Sequence, residues 1–341
     1  DVAKEAGVSI ATVSRVLRGT ASVSETTKLR VLKVIGELGY QPNRMAQGLR
    51  LGRTETVAFA VGDIEQSVYS AMTKHLQAAL ERLGLDLLLY NLGHSEARLL
   101  KLLDNAAALG VQAIAIASSD ALPERELAGR VDMFARAGIA IVSINQDLSD
   151  HGIPSVLYDD KGAARRAVSH LIATECGPVA YVGRIAGSAV GSNRFAGYVA
   201  AHEEAGIAFG PELVWDASYR YRAGYDAVAQ ACRAGKRFGA LQAGSDEMAM
   251  GAIAALQDIG RRVPDDCKIV GFGGADWAEF SRPGIATLTS NPETMAAHVA
   301  AILEALHAGT APPLRTVMER RFARRASAWP TALRPSAPGP H

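Results

Sequence analysis

The stretch DVAKEAGVSIATVSRVL, residues 1–17, decides how the amino-terminal part of the chain is read. Residues 1–6 carry a short helical pattern closed by Gly7, a residue that takes the positive φ of a tight turn without strain. Ser9 is placed to cap a second helix running to about Arg18. On that helix Val13, Val16 and Leu17 gather on one side with Ile10 at the margin, while Ala11, Arg15 and Arg18 point the other way. Gly19 stops it. Ser24 is placed to cap a third helix, on which Leu29, Leu32, Ile35 and Leu38 recur at helical spacing before Gly39. Three short helices with Gly7-Val8-Ser9 as the inter-helix turn make a helix-turn-helix. Small side chains on the exposed face of the second helix allow close approach to a major groove, where the Arg15 fork matches a guanine edge. A generic three-helix bundle with exposed Arg and Ser shows the same spacing, so this pattern alone does not decide.

The residues that follow tip the balance. Pro42-Asn43 opens the segment RMAQGLRLGRT, residues 44–54, which is too short, and with Gly48 too weak, for a helix that stands alone. It places Leu49 among Arg44, Arg50 and Arg53. A leucine among arginines suits a wedge into a minor groove, the phosphates satisfying the charges. Such a segment folds on DNA, paired with its copy in a dimer. Charge agrees: residues 1–53 hold nine Lys/Arg against four Asp/Glu, and the rest of the chain holds 27 against 31. A small basic head on a mildly acidic body fits a polyanion-binding module joined to something else.

Residues 1–53 resemble the DNA-binding head and hinge of the lactose-repressor (LacI/GalR) family, in the stretches DVAKEAGVS, ATVSRVL, VSETTKLRVLKVIGELGYQPN and RMAQGLR. The resemblance continues to about Ser327. It implies that Ile10, Ala11 and Arg15 face base edges and that Thr12, Ser14 and Asn43 face phosphates. Leu49 is then the minor-groove lever, with Arg50 beside it.

The 341-residue length calls for more than one core. From Thr56 onward, apolar runs near 57–61, 85–90, 112–117, 139–144, 155–158, 178–183, 238–243 and 268–272 alternate with amphipathic stretches. Those stretches fall near 68–83, 96–109, 124–137, 161–174, 193–206, 222–234 and 246–260. Such alternation means parallel sheets with right-handed crossovers, better divided between two Rossmann-like subdomains than forced into one. The expected fold is therefore an all-α head on a two-lobed α/β core, the topology of periplasmic sugar-binding proteins that the family's core resembles. The divisions expected are a head at 1–41, a hinge at 42–54, a core at 55–329 and a Pro-rich, disordered tail at 330–341. The subdomain break belongs near 155–160, and a strand at 285–289 with a helix at 292–307 returns the chain to the first lobe. Ligands of open α/β sheets bind beyond the carboxyl ends of the strands, which points to the cleft between the lobes.

Several function classes lose support. There is no GxxxxGK[ST], and Gly187 to Gly191 has neither the spacing nor the lysine of a phosphate loop. No GxSxG elbow occurs, so an enzyme is not expected. No run of eighteen apolar residues suggests a membrane span, and residues 1–20 lack the apolar centre of an export signal. Cys176, Cys232 and Cys267 have no CxxC spacing, and the eight histidines show no metal-ligand pattern, so no metal or cofactor is expected and a reducing cytoplasm fits.

The resemblance also proposes effector contacts. Arg194, within GSNRFAGY, matches the family's effector-binding arginine at a helix start, where its fork suits an oxygen-rich ligand. Tyr69 and Tyr219 match aromatic positions that stack on ligand rings, although either equally suits a boundary residue. Asn145 stands where the family often carries an acidic hydroxyl acceptor. Ser245 is counted with them, and Asp246 behind it reads as the N-cap of the helix at 246–260. Many members carry Asp after the Gly-Phe of the strand that here reads IVGFGG. Here that position is Gly273, with Asp276 the nearest acid. An Arg194 without its usual partner favours an anionic ligand, a sugar acid or sugar phosphate, because an unpaired buried guanidinium is costly. Arg320, Arg321, Arg324 and Arg325 read as a strand's solvated flank. The whole describes a dimeric repressor of a pseudo-palindromic operator, controlled by a small sugar-like effector.

Overall fold

A computed structural model describes residues 2–17, 23–39 and 55–329, in two units that divide after Thr54. In the first unit, α1 (Val2–Glu5), α2 (Ile10–Leu17) and α3 (Glu25–Glu37) enclose Val2, Ala6, Val13, Val16, Val31 and Val34. Ser9 caps α2, its hydroxyl accepting from the Thr12 amide at 3.1 Å, and Ser24 caps α3 through the Thr27 amide. The apolar stripe of α3 is not the expected one. Val31 and Val34 are buried and Ile35 half-buried, whereas Leu29, Leu32 and Leu38 are exposed. A strict spacing of three walks around a helix by about 60° per step, so four such residues cannot share one face. The segment 42–54, with Asn43, Leu49 and Arg50, lies outside the described residues, as does the tail at 330–341.

The second unit holds two six-stranded sheets. The first contains β1 (Thr56–Val61), β2 (Asp86–Asn91), β3 (Ala113–Ala117), β4 (Ala140–Ile144), β5 (Ser155–Tyr158) and β11 (Arg315–Met318), in the order β11-β5-β4-β3-β1-β2 and all parallel. Around it pack α4 (Ser67–Arg82), α5 (Glu96–Leu109), α6 (Glu124–Ala128), α7 (Val131–Ala137) and α13 (Pro292–His307). The second sheet contains β6 (Val179–Gly183), β7 (Val214–Asp216), β8 (Ala240–Ala243), β9 (Lys268–Gly273), β10 (Ala286–Thr289) and β12 (Arg321–Ala323), in the order β12-β10-β9-β8-β6-β7. Its helices are α8 (Asp160–Ala173), α9 (Ala189–Ala205), α10 (Tyr221–Arg233), α11 (Asp246–Asp258) and the short α12 (Trp277–Phe280).

Both sheets are covered on both faces, which is why their strands read as continuous apolar runs rather than alternating ones. Val57, Phe59 and Val61 face Met72 and Leu76 of α4 and Val299 of α13, while Ala58 and Ala60 face Leu99 and Leu103 of α5. In the second lobe Val182, Leu241 and Ile269 meet α10 and α11, and Tyr181 and Val270 meet α8 and α9. Helices α8 and α9 touch backbone to backbone at Gly197, where a Cβ would stand 2.2 Å from the Lys161 carbonyl oxygen.

The two-lobed parallel architecture is the expected one, with four differences. β12 runs antiparallel to β10. β10 belongs to the second sheet, so only α13 and β11 return to the first. The stretch 124–137 is two helices, broken where α6 ends against Gly129, a poor helix former. The short strands β7, β11 and β12 carry too few residues to show a period. The chain thus passes between the lobes three times: from β5 to α8, from β10 to α13 and from β11 to β12.

Candidate functional site

The cleft lies at the carboxyl ends of the strands, where loops from both lobes converge. Gln66 and Tyr69 follow β1, Ser119 follows β3, and Asn145 follows β4 with φ of +75°. From the second lobe come Arg194 of α9, Tyr219, Ser245 and Glu247 at the start of α11, and Phe272 and Gly273 at the end of β9. Arg320 completes the wall from the third crossing. Of the expected effector contacts, Tyr69, Asn145, Arg194, Tyr219 and Ser245 are brought together here. Asp276 is not: it is exposed at the start of α12 and does not line the cavity.

The floor of the cleft is built on three charges. Arg194 is 8% exposed and Arg320 is 4% exposed. Between them sits Asp160, the first residue of α8, also buried. Arg320 Nε donates to Asp160 Oδ1, and Arg194 Nε lies 3.4 Å from Asp160 Oδ2 without forming a hydrogen bond. Arg194 Nη1 donates to the Gly244 carbonyl at 2.6 Å. Both guanidiniums stack on Phe272, 4.0 Å and 4.8 Å from its ring centroid, and Arg320 also lies 4.2 Å from the ring of Tyr158. Burial is the largest single influence on the Arg194 guanidinium and works against its charge, but Asp160 together with Tyr219, Tyr181 and Tyr69 more than offsets it and holds the group above its ordinary value. Two expectations are therefore corrected. Arg194 has a carboxylate partner, and Arg320 is a buried cleft residue rather than part of a solvated flank. Arg194 also sits in the second turn of its helix, because Ser188 caps α9 four residues earlier than expected.

The floor nevertheless remains short of acceptors. Two buried guanidiniums share one carboxylate, and Arg194 Nε and Arg320 Nη1 make no hydrogen bond. Gln66 Nε2 is a further buried donor without a partner, and Asn145 Oδ1 a buried acceptor without one. Orphaned buried polar atoms are rare in folded proteins, and several converging on one cavity mark a place where a polar ligand completes the bonding. Glu247 is already engaged: it accepts from the Ser67 hydroxyl at 2.6 Å and the Ser67 amide at 3.1 Å, across the lobes. Burial pushes the hydroxyls of Tyr69 and Tyr219 above their ordinary pKa, so both stay neutral donors.

Beside Gly273 the structure shows a second buried acid. Ser245, not Asp246, caps α11, its hydroxyl accepting from the Met248 amide at 3.2 Å. This leaves Asp246 free to turn inward. Its carboxylate accepts from the Gly274 and Ala275 amides at 2.7 Å each and from the Thr287 hydroxyl at 2.6 Å. Burial pushes its pKa up to about 6 against those bonds. Asp246 thereby holds the turn that carries Gly273, whose φ of +131° is one that L side chains rarely adopt.

The mouth of the cleft is differently composed. Arg220 of the second lobe reaches both Asp63 and Glu65 of the first, and Arg184 reaches Asp120. His94 lies among them, its Nδ1 2.8 Å from Asp120 Oδ2 and 3.1 Å from Arg184 Nη1, its Nε2 3.5 Å from Asp63 Oδ2. Ser188 adds a bond to the Ser119 carbonyl at 2.7 Å.

On the head, Ile10, Ala11 and Arg15 form an exposed row on α2, with Thr12 and Ser14 half-buried beside it. The Thr12 hydroxyl pairs with that of Ser9 at 2.9 Å. A helix with short side chains and one long fork on its open face has the dimensions of a major-groove reader.

Comparison with known proteins agrees with both halves. Residues 1–43 match the family model described as bacterial regulatory proteins, lacI family. Residues 54–303 match that of periplasmic binding proteins and the sugar binding domain of the LacI family. The chain belongs to the LacI family. Catabolite control protein A of Priestia megaterium is 31% identical over 289 residues, 84% of this chain and 86% of that protein. Among solved structures, the transcriptional regulator CelR–cellobiose complex matches with a TM-score of 0.70 at 29% identity, covering 96% of this chain and 98% of that one. The lac repressor dimer bound to operator and the anti-inducer ONPF shares the fold, with a TM-score of 0.85 at 22% identity over 96% and 97% of the two chains. This LacI-family member is thus a DNA-binding transcriptional regulator with a sugar-binding type of core, and its relatives are regulators rather than enzymes. Among the described residues, no helix is long and apolar enough to cross a membrane.

Asp160 and Arg320 were not among the sequence-derived contacts. Asp160 carried one usable signal, since it lies two residues past the carboxyl end of a strand, where α/β ligands bind. Arg320 carried none: its place depends on a third crossing between two strands of four and three residues.

Proposed function

We propose that this regulator is a cytoplasmic repressor that binds a pseudo-palindromic operator as a homodimer and is controlled by an acidic sugar or sugar phosphate in its cleft. One observation carries the effector class: two buried guanidiniums share a single carboxylate and keep unbonded N–H groups. A carboxylate or phosphate supplies the missing charge and acceptors, whereas a neutral sugar supplies acceptors alone. Lobe closure on the effector is passed to the DNA-binding head, and operator affinity changes by the coupling free energy. Calorimetry with gluconate and inorganic phosphate against glucose and cellobiose tests this; tight binding of a neutral sugar with none of an acid would sink it.

On the DNA side, Ile10, Ala11 and Arg15 read base edges and Thr12, Ser14 and Asn43 hold phosphates, with Leu49 as the minor-groove wedge beside Arg50. Arg15→Ala is expected to cost about 1–3 kcal/mol of specific binding and to relax the preference at one base pair. Leu49→Ala should weaken the bent specific complex and spare non-specific binding. Binding that ignores sequence and shows only a steep salt slope would favour a non-specific nucleoid-type binder instead. The homodimer is supported by apolar side chains left in the open, Leu88 and Leu89 on the edge strand β2 and Tyr221, Ile259 and Phe280 on the second lobe. Sedimentation at operator-binding concentrations tests it.

A further inference from the structure

The three connections between the lobes meet at one cluster. Asp160 ends the first connection and Arg320 lies within the third, so their ion pair ties those two together. Tyr158, also at the first connection, donates from its hydroxyl to the Asn291 carbonyl at 3.4 Å, which belongs to the second. Arg320 stacks on the Tyr158 ring, and Arg166 of α8 donates to the Arg320 carbonyl at 3.2 Å. Two members of this cluster bear on the cleft: Arg320 lines its wall, and Asp160 Oδ2 lies 3.4 Å from Nε of Arg194, which also lines it.

We propose that Asp160 and Arg320 are positioning residues that carry the occupancy of the cleft to the strands joining the lobes. The proposal rests on the acidic-effector reading above and adds the route by which that effector acts. An acid engaging Arg194 competes with Asp160 for the same guanidinium. Asp160, already bonded to Arg320 through Oδ1, is then left to Arg320 alone, and the first and third connections draw together at a changed lobe angle. The site is buried, so partition of one carboxylate between two cations changes sharply when a second anion arrives. The effector thereby binds the two arrangements with different free energies, which a conformational response requires.

The test uses the full chain, with calorimetry for affinity and small-angle scattering for lobe closure, and gluconate and inorganic phosphate as probes. In the wild type, saturation with a bound probe changes the scattering profile. D160N removes the competing charge while keeping the size of the side chain. It is expected to bind the acidic probe at least as tightly, with a gain of roughly fivefold or more, and to lose the scattering change. R320K keeps a charge without the planar fork and is expected to weaken probe binding and, at saturating probe, to lose part of the change. A D160N protein that binds the probe and closes as the wild type does overturns the route. So does one whose affinity and closure fall in proportion. If neither probe, nor any sugar acid, binds the wild type, the acidic-effector reading fails by itself. Ligand-free scattering then decides the route: an altered lobe spacing in D160N supports a role in the connections, and an unchanged one removes it. Should D160N fail to fold, R320K carries the same comparison.

Discussion

The floor and the mouth of the cleft use the same residue types to opposite ends. At the mouth, two arginines meet Asp63, Glu65 and Asp120, with His94 between, and all of these groups but the buried Asp63 are partly exposed. Each arginine there has a carboxylate of its own. At the floor, two arginines meet one aspartate, and all three are buried. Water and neighbouring acids already satisfy the mouth, so its pairs are worth little individually. The floor is sealed from water and short of negative charge, so it answers to whatever enters. The contrast teaches that the number of ion pairs around a cleft says less about ligand chemistry than the balance of charge among those that are buried.

This contrast can be broken at several points. The largest effect is expected from Asp160→Ala, which leaves two buried guanidiniums with no carboxylate and should cost about 3–5 kcal/mol of unfolding free energy by chemical denaturation. Full stability in that variant would mean that the floor is wetter than described.

The next effect is one of pH. The folded-state pKa of Asp246 is raised to about 6 by burial, above its unfolded value. Its stabilising contribution is therefore complete below the unfolded pKa and is lost as pH rises through the folded one. Relative to D246N, the wild type should lose on the order of 3 kcal/mol between about pH 4 and pH 7. Parallel pH profiles of the two proteins would show that Asp246 does not titrate this way. Gly273→Ala should cost about 1–2 kcal/mol, because φ of +131° strains any L side chain even though the nearest atom, Asp246 Oδ2, leaves 3.5 Å. The smallest effect belongs to the mouth. Glu65→Gln removes a pair whose acid is 72% exposed and should change stability by less than about 1 kcal/mol, vanishing in high salt. A larger, salt-resistant loss would erase the distinction between mouth and floor.

The sequence shows these regions unevenly, for physical reasons. Strands such as AIAIA at 113–117 and helices capped by serine, as at Ser24, are local patterns, and their positions could be read closely. Tyr69, Asn145, Arg194, Tyr219 and Ser245 could be gathered because a family resemblance stood in for the missing distances. The partner of Arg194 could not. Asp160 lies 34 positions earlier in the chain, and Arg320 reaches it from 160 positions away. Such long-range pairing exists only once three connections are folded together. The head erred in the other direction, where a regular leucine spacing on α3 outshone the valines that form its core.

One nitrogen at the mouth has a consequence of its own. His94 Nδ1 lies within bonding distance of Arg184, which can only donate to it, and of Asp120, which can only accept from it. A bare nitrogen serves the first and ties the lobes; a protonated one serves the second and stays within the first lobe. Which nitrogen of this ring carries the hydrogen therefore decides whether His94 adds to the Arg184–Asp120 tie between the lobes or stays within the first lobe.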